Sequence, residues 1–114
     1  MALAPDHTLS ARLRRMVHTI VDEVDPVRIM LFGSQARGDA DDTSDVDLLI
    51  VVEEPFQNGR ERVDMMTRLW RVLSDIRGPK DLLVYSLEEI EKWKGAPNHV
   101  IARALREGEV LYER

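Results

Sequence analysis

The sequence predicts a mixed α/β (α+β) fold, a single domain over residues 1–114 in which helices pack on a small mixed β-sheet. Near the N-terminus, apolar residues recur at three- and four-residue spacing, which is typical of one face of an amphipathic helix. Short apolar runs follow and alternate with further helical patterns. The chain is long enough to bury one core and too short for two.

The first half of the chain predicts one helix and two strands. The helix carries its apolar stripe from Leu9 to Val24, and the proline at position 26 ends it because a residue before proline is disfavoured in helical conformation. The run "VRIMLF", residues 27–32, predicts a short strand. Residues 46–52 predict a second strand, which is apolar enough to be covered on both faces.

The second half of the chain continues this alternation. A helix is predicted over about residues 60–76, before the stop signal Gly-Pro, and "DLLVY", residues 81–85, predicts a third strand. Ser86 and Glu89 form a capping-box pattern that begins a short helix. A last helix starts near "PN" and closes at Gly108, and "EVLYE" adds a final short strand or a tail.

Composition excludes several classes of function. The net charge of −5, from 16 basic and 21 acidic residues, argues against direct binding of nucleic acid. The absence of cysteine excludes disulfides and thiolate sites, and the three histidines lack the spacing of metal ligands. No apolar run approaches the roughly 20 residues that span a bilayer, and the N-terminus lacks a signal-peptide pattern. We therefore expect a cytoplasmic protein without a membrane partner.

Two carboxylates stand at the entrance of the second predicted strand. Asp45 and Asp47 are two residues apart, so in a strand their side chains point to the same face. Like charges this close repel unless a cation or hydrogen-bond donors intervene. Mg²⁺ takes oxygen ligands and usually combines one or two carboxylates with water and substrate phosphates. The alternative is a solvated acidic turn that leads into the strand.

A glycine and a serine follow the first predicted strand. Gly33 permits a tight turn and close approach of the backbone to a ligand, and Ser34 can cap a short helix whose free N–H groups favour an anion. A phosphate held there beside a metal would give the geometry of metal-assisted nucleotide chemistry. The alternative is a helix cap without a ligand.

A third acid and one arginine complete the candidate site. If the third strand lies beside the second, Asp81 reaches the same end of the sheet, where it could bind metal or accept a proton from an attacking hydroxyl. Otherwise it is an aspartate turned to solvent. Arg37 either neutralises phosphate charge or forms a salt bridge within the acidic loop, to Asp39, Asp41 or Asp42.

Two weaker features concern possible partners. One helix carries four arginines, which form either a basic face for a partner or nucleotide or simply the solvated side of the helix: Arg60, Arg62, Arg68 and Arg71. Trp70 on the same helix is a candidate interface anchor. These residues make a homo- or hetero-oligomer conceivable without defining its stoichiometry.

The segment "GSQARGDADDTSDVDLL" resembles the signature of the nucleotidyltransferase superfamily related to DNA polymerase β, namely Gly-Ser followed by Asp-x-Asp. The Ala-Arg-Gly after the serine and the Ser-Asp-x-Asp-Leu ending narrow the resemblance to the minimal nucleotidyltransferases, the MntA-like antitoxins often encoded beside a HEPN-domain partner. "DLLVYSLEEIEKW" and "ALREGEVLYE" also fit that family. The resemblance implies a polymerase β-like nucleotidyltransferase fold for nearly the whole chain.

The resemblance also implies roles for particular residues. Gly33 and Ser34 would hold the phosphates of the nucleotide, Asp45 and Asp47 would bind two Mg²⁺ ions, and Asp81 would be the third carboxylate of the metal and catalytic site. The implied reaction is transfer of AMP from ATP to a protein hydroxyl. The expected acceptor is a tyrosine of a HEPN-type RNase toxin, with this chain as the antitoxin.

Two alternatives to this function remain open. One is a non-catalytic antitoxin that neutralises its HEPN partner by contact, with nucleotide binding vestigial. Nucleotidyl transfer to a small molecule is less favoured, because enzymes of that kind generally carry an additional substrate-binding domain and 114 residues leave little room for one.

Overall fold

The fold is that of a computed structural model, which describes residues 2–3, 11–32 and 46–114; for residues 2–3 only the backbone is described. Five strands and four helices lie within these ranges. In chain order they are β1 (Ala2–Leu3), α1 (Ala11–Val24), β2 (Arg28–Phe32), β3 (Val46–Val52), α2 (Gly59–Val72), β4 (Lys80–Ser86), α3 (Leu87–Trp93), α4 (Val100–Glu107) and β5 (Glu109–Glu113).

The strands form one mixed sheet in the order β1-β5-β2-β3-β4. Strands β3 and β4 are parallel, and α2 provides the crossover that such a connection requires, whereas the other neighbouring strands are antiparallel. The segment "EVLYE" is therefore a strand inside the sheet, between β1 and β2, rather than a tail. The predicted mixed α/β architecture is confirmed.

Helices cover both faces of the sheet. Helices α1 and α2 pack on one face through a core that includes Met16, Ile20 and Leu69. Helices α3 and α4 pack on the other face, where Ile90 and Ile101 contact the sheet. Six of the seven residues of β3 are buried, which confirms the prediction that this strand is covered on both sides.

Local hydrogen bonds mark the C-terminal ends of α1 and α2. Asp25 takes a left-handed conformation (φ 46°) directly after α1, and its N–H donates to the carbonyl of Val21 at 3.1 Å. Helix α2 ends at Val72, earlier than the predicted residue 76, because the Ser74 hydroxyl and N–H both donate to the Arg71 carbonyl, at 2.8 and 3.3 Å.

The two short helices begin at side-chain caps. The predicted capping box is confirmed, since the Ser86 hydroxyl accepts from the N–H of Glu89 while the Glu89 carboxylate accepts from the N–H of Ser86. Helix α4 begins after the predicted "PN" pair, because the Nδ1 atom of His99 caps it by accepting from the Ile101 N–H at 3.1 Å. None of the helices in the described ranges has the length and apolar character needed to cross a bilayer.

Candidate functional site

Two of the predicted site residues lie side by side at one end of the sheet. Asp47 is the second residue of β3 and Asp81 the second residue of β4, and the two are Cα partners in the parallel pair. Adjacent strands lie about 4.8 Å apart and partner residues point to the same face. Strand β4 therefore lies beside β3, as the prediction for Asp81 required, and the two carboxylates belong to one face and one end of the sheet.

Alternation along each strand determines which face carries the two carboxylates. Leu49 and Val51 follow Asp47 at two-residue spacing, and Leu83 and Tyr85 follow Asp81 in the same way. All four apolar side chains belong to the core beneath α3 and α4. The carboxylates thus lie at the border of this core, where Asp47 is half-buried and Asp81 is exposed.

Strand β2 brings a third segment to this end of the sheet. Phe32, its last residue, is the Cα partner of Asp47 in the antiparallel β2–β3 pair. The residue after Phe32 is the first of the remaining predicted site residues. These lie outside the described residues, so that their roles stay predictions: Gly33, Ser34, Arg37 and Asp45, together with the loop acids Asp39, Asp41 and Asp42.

The described donors fit the chemistry of Mg²⁺ but supply only part of a site. Asp47 and Asp81 offer carboxylate oxygens from neighbouring positions, and oxygen is the ligand atom that Mg²⁺ prefers. Within residues 11–32 and 46–114, no group of three or more acidic or histidine side chains has the arrangement of a metal site. A further carboxylate, such as the predicted ligand Asp45, is needed beside this pair.

Of the four arginines of α2, Arg62 is held by contacts within the fold. Arg62 donates to the carbonyl of Val84 at 2.6 Å, pairs with Glu89, and lies over the rings of Phe56 and Tyr85 at 4.8 and 5.1 Å. Two of the other arginines lie beside acids, Arg68 at 3.4 Å from Glu23 and Arg60 at 3.9 Å from Asp64. Arg62 therefore does not contribute to a basic face, whereas Arg60, Arg68 and Arg71 are exposed, so that a basic face on this helix stays a prediction.

The carboxylate of Glu89 is held in its charged form by these contacts. Burial by itself raises the pKa of Glu89, but the hydrogen bonds from Arg62 and from the backbone and hydroxyl of Ser86 outweigh it. The pKa of this carboxyl therefore lies below its ordinary value of 4.5. Arg62 and Glu89 thus join α2 to the start of α3, and their role is structural.

Sequence reasoning missed Arg12 and Lys80, which hold the loop before β4. The Arg12 guanidinium donates to the Pro79 carbonyl at 2.6 Å, and the Lys80 ammonium donates to the Ile76 carbonyl at 2.7 Å. Arg12 is 67 residues away from Pro79, so no local pattern could indicate this contact. The Gly78-Pro79 pair was interpretable from the sequence only as the end of a helix.

Comparison with known families identifies one match that covers most of the chain. The family described as "Polymerase beta, Nucleotidyltransferase" matches residues 15–114. A protein of Methanocaldococcus jannaschii named "Putative protein adenylyltransferase" is 52% identical over 65 residues, which are 55% of this chain and 64% of that protein. The match thus spans less than two thirds of the length of that relative.

Two solved structures have similar folds. One, described as a "putative nucleotidyltransferase from Sulfolobus solfataricus", has a TM-score of 0.55 at 25% identity and covers 96% of this chain and 93% of its own. The other, described as a "toxin-antitoxin with AMP-PNP", has a TM-score of 0.53 and covers 88% of this chain and 73% of its own. Its identity of 17% restricts the likeness to the fold.

Proposed function

Because the chain belongs to the polymerase β-type nucleotidyltransferase family, we propose that it transfers AMP from ATP to a hydroxyl group of another protein. The observation that carries this proposal is the register of Asp47 with Asp81 at the shared end of two parallel strands. Side-by-side carboxylates at this position supply part of the metal-binding group that a metal-dependent displacement at phosphorus needs from the protein.

The choice of a protein acceptor draws support from the relatives. The M. jannaschii protein is named as a protein adenylyltransferase, and a similar fold occurs in a toxin-antitoxin structure with AMP-PNP. We propose that the acceptor is a tyrosine of a HEPN-type RNase toxin in the cytoplasm and that this chain is the antitoxin.

The proposed roles of the residues follow from their positions. Asp45 and Asp47, together with Asp81, would hold Mg²⁺, which when bound neutralises the charge of the triphosphate. Gly33 and Ser34 would hold the triphosphate itself. Asp81, as the carboxylate on the outer strand, would orient the acceptor hydroxyl and accept its proton.

The displacement balances without any further reactant. A bond forms between the acceptor oxygen and the α-phosphorus of ATP, the bond from that phosphorus to the bridging oxygen breaks, and pyrophosphate leaves with the electron pair. The proton of the acceptor hydroxyl passes to the Asp81 carboxylate and from there to solvent. In an in-line displacement the attacking and leaving oxygens lie on opposite sides of the phosphorus.

Intact-mass analysis tests this function directly. A HEPN-domain protein encoded beside the chain is incubated with the chain, ATP and Mg²⁺, and the expected result is the added mass of one or more AMP groups. Absence of added mass, under conditions in which the two proteins bind, would contradict the proposal.

The double variant Asp45→Ala with Asp47→Ala separates catalysis from contact. We expect this variant to bind the partner but neither modify nor neutralise it. A double variant that neutralises the partner as well as the natural chain does would instead establish the non-catalytic mechanism. A small-molecule acceptor would show itself by release of pyrophosphate and formation of an adenylylated small molecule in the absence of a protein partner.

A further inference from the structure

One carbonyl oxygen joins three segments of the chain beside the two carboxylates. The Pro79 carbonyl accepts from the Arg12 Nη2 atom at 2.6 Å and from the backbone N–H of Val46 at 3.1 Å. Val46 directly precedes Asp47, and Pro79 lies two residues before Asp81. The first turn of α1, the loop before β4 and the first residue of β3 therefore meet at a single atom.

Gly78 provides the space in which the Arg12 guanidinium lies. Its φ of +100° is a conformation that residues with side chains rarely adopt. A Cβ atom at this position would stand 2.6 Å from Nη2 and 2.7 Å from Cζ of Arg12. The backbone conformation therefore favours glycine at position 78, and a Cβ atom there would force the guanidinium to move.

A second cation also holds this loop. The Lys80 ammonium donates to the carbonyls of Ile76 and Gly78, at 2.7 and 3.1 Å. Burial, together with the nearby charge of Arg12, lowers the pKa of Lys80 from its ordinary value of 10.5. Two cations thus hold three carbonyls of the loop between α2 and β4, those of Ile76, Gly78 and Pro79. This arrangement leaves the loop little freedom to shift along β3.

We propose that Arg12 is a positioning residue, which holds the start of β4 in register with β3 and thereby keeps Asp81 beside Asp47. A slip of one residue would turn every β4 side chain to the opposite face of the sheet and would move Asp81 away from Asp47. The bond from Val46 to Pro79 is the first of the β3–β4 ladder at the end nearest the carboxylates, where fraying would begin. The catalytic role of the carboxylate pair rests on the proposed function, whereas the role of Arg12 in positioning β4 does not.

Amide exchange tests the positioning without relying on activity. In the chain without ATP or metal, we expect Arg12→Ala to speed exchange of the Val46 N–H by about tenfold, which corresponds to the loss of one hydrogen bond of ordinary strength. Exchange at Val51, near the other end of β3, should stay unchanged. The matched control is Arg15→Ala, one turn along α1, where the arginine pairs with Asp75 at the surface at 3.2 Å.

Two further variants keep the test decisive. Gly78→Ala displaces the guanidinium and should reproduce the faster exchange at Val46, whereas Arg12→Lys retains a cationic donor and should restore part of the protection. If Arg12→Ala leaves Val46 exchange as it is in the natural chain, the proposal is overturned. Equal acceleration at Val46 and Val51 would also overturn it, because that result means general destabilisation.

Kinetics then connect the positioning to the reaction. We expect Arg12→Ala to lower kcat and to raise the Mg²⁺ concentration needed for half-maximal rate, with little change in KM for ATP. If Arg12→Ala speeds exchange at Val46 but leaves kcat unchanged, the register of β4 with β3 does not matter for the reaction, and that part of the proposal is overturned. If the natural chain transfers no AMP and the exchange result still holds, the proposed function fails and the positioning stands.

Discussion

Asp47 and Asp81 are Cα partners across the parallel pair of β3 and β4, which brings two negative charges to neighbouring positions on one face of the sheet. Directly opposed like charges in a sheet destabilise it by roughly 0.2–1 kcal/mol. Such an arrangement costs stability unless a cation or a hydrogen-bond donor lies beside the carboxylates, and it becomes favourable when a cation binds between them. Stability and function therefore make opposite demands on these two positions.

The first prediction concerns Asp81→Asn, which removes one of the two charges and keeps the shape of the side chain. In EDTA we expect the thermal midpoint to equal or exceed that of the natural chain, because the repulsion with Asp47 is relieved. Addition of Mg²⁺ should raise the midpoint of the natural chain and leave that of the variant nearly unchanged. Thermal melts followed by circular dichroism, with and without Mg²⁺, measure both effects.

The same variant should lose at least about 100-fold in AMP transfer, the contribution expected of a positioned general base. Asp75→Asn is the control, because Asp75 is exposed and pairs with Arg15 at the surface. A variant that melts well below the natural chain in EDTA would show that Asp81 has a structural role instead.

The second prediction concerns Gly108, where α4 passes into β5. A Cβ atom at this position would stand 2.5 Å from the Ala104 carbonyl and 2.8 Å from the Leu31 carbonyl, and both are backbone atoms that cannot move aside cheaply. We expect Gly108→Ala to lower the free energy of unfolding by about 1–3 kcal/mol. Urea denaturation measures this loss.

Gly95→Ala is the matched control for that substitution. No heavy atom lies within 4 Å of a Cβ atom built at Gly95, so the change should stay within about 0.5 kcal/mol of the natural chain. Equal effects at the two glycines would mean that the contact with Leu31 does not carry the cost. Because Leu31 lies near the end of β2, the Gly108 variant should also reduce AMP transfer.

The third prediction is a pH dependence of stability that arises from Arg62 and Glu89. The pKa of Glu89 is lowered in the folded chain, so the stabilisation is fully present above the ordinary value of 4.5 and is lost as the pH falls through the lowered value. Glu89→Gln cannot ionise and should be about 1–2 kcal/mol less stable at pH 7. The difference from the natural chain should shrink progressively below pH 4.5.

Urea denaturation at several pH values between about 3 and 7 gives the free energy of unfolding of the natural chain and of the variant, and thus measures this dependence. The exposed pair of Arg60 and Asp64, with nitrogen and oxygen 3.9 Å apart, provides the contrast. Arg60→Ala should change stability by less than about 0.5 kcal/mol at pH 7. A difference between Glu89→Gln and the natural chain that persists unchanged at acid pH would contradict the assignment to ionisation.

The parts of the fold that follow local rules were predictable from the sequence. Strand β3 was recognisable because its run of apolar residues fits burial on both faces, and α3 because Ser86 and Glu89 form a capping box within four residues. Contacts between distant segments were not predictable in this way. The pairing of β5 with β1 and β2, and the contact of Arg12 with Pro79, join residues far apart in sequence.

The candidate site shows the same division. Alternation along a strand was enough to place side chains of one strand on one face, but whether Asp81 joins Asp47 depended on β4 lying beside β3. The four arginines of α2 illustrate the opposite case, since the pattern of one helix cannot reveal that Arg62 meets Glu89, 27 residues further along the chain. A pattern of charged residues therefore indicates a binding surface only when it is known which of those residues form ion pairs within the fold.

The fourth prediction concerns His99, which both caps α4 and stacks on Trp93. Its Nδ1 atom accepts from the Ile101 N–H at 3.1 Å, and its ring lies nearly parallel to the Trp93 ring with centroids 4.6 Å apart. His99→Ala removes both contacts and should cost about 1–3 kcal/mol. His99→Asn restores a cap acceptor without the stack and should recover roughly half of that loss.

Urea denaturation separates the two contributions, and near-ultraviolet circular dichroism reports the Trp93 environment. His18→Ala, at an exposed position of α1, is the control. If the asparagine variant is as unstable as the alanine variant, the cap contributes little and the stack on Trp93 is what joins α3 to α4.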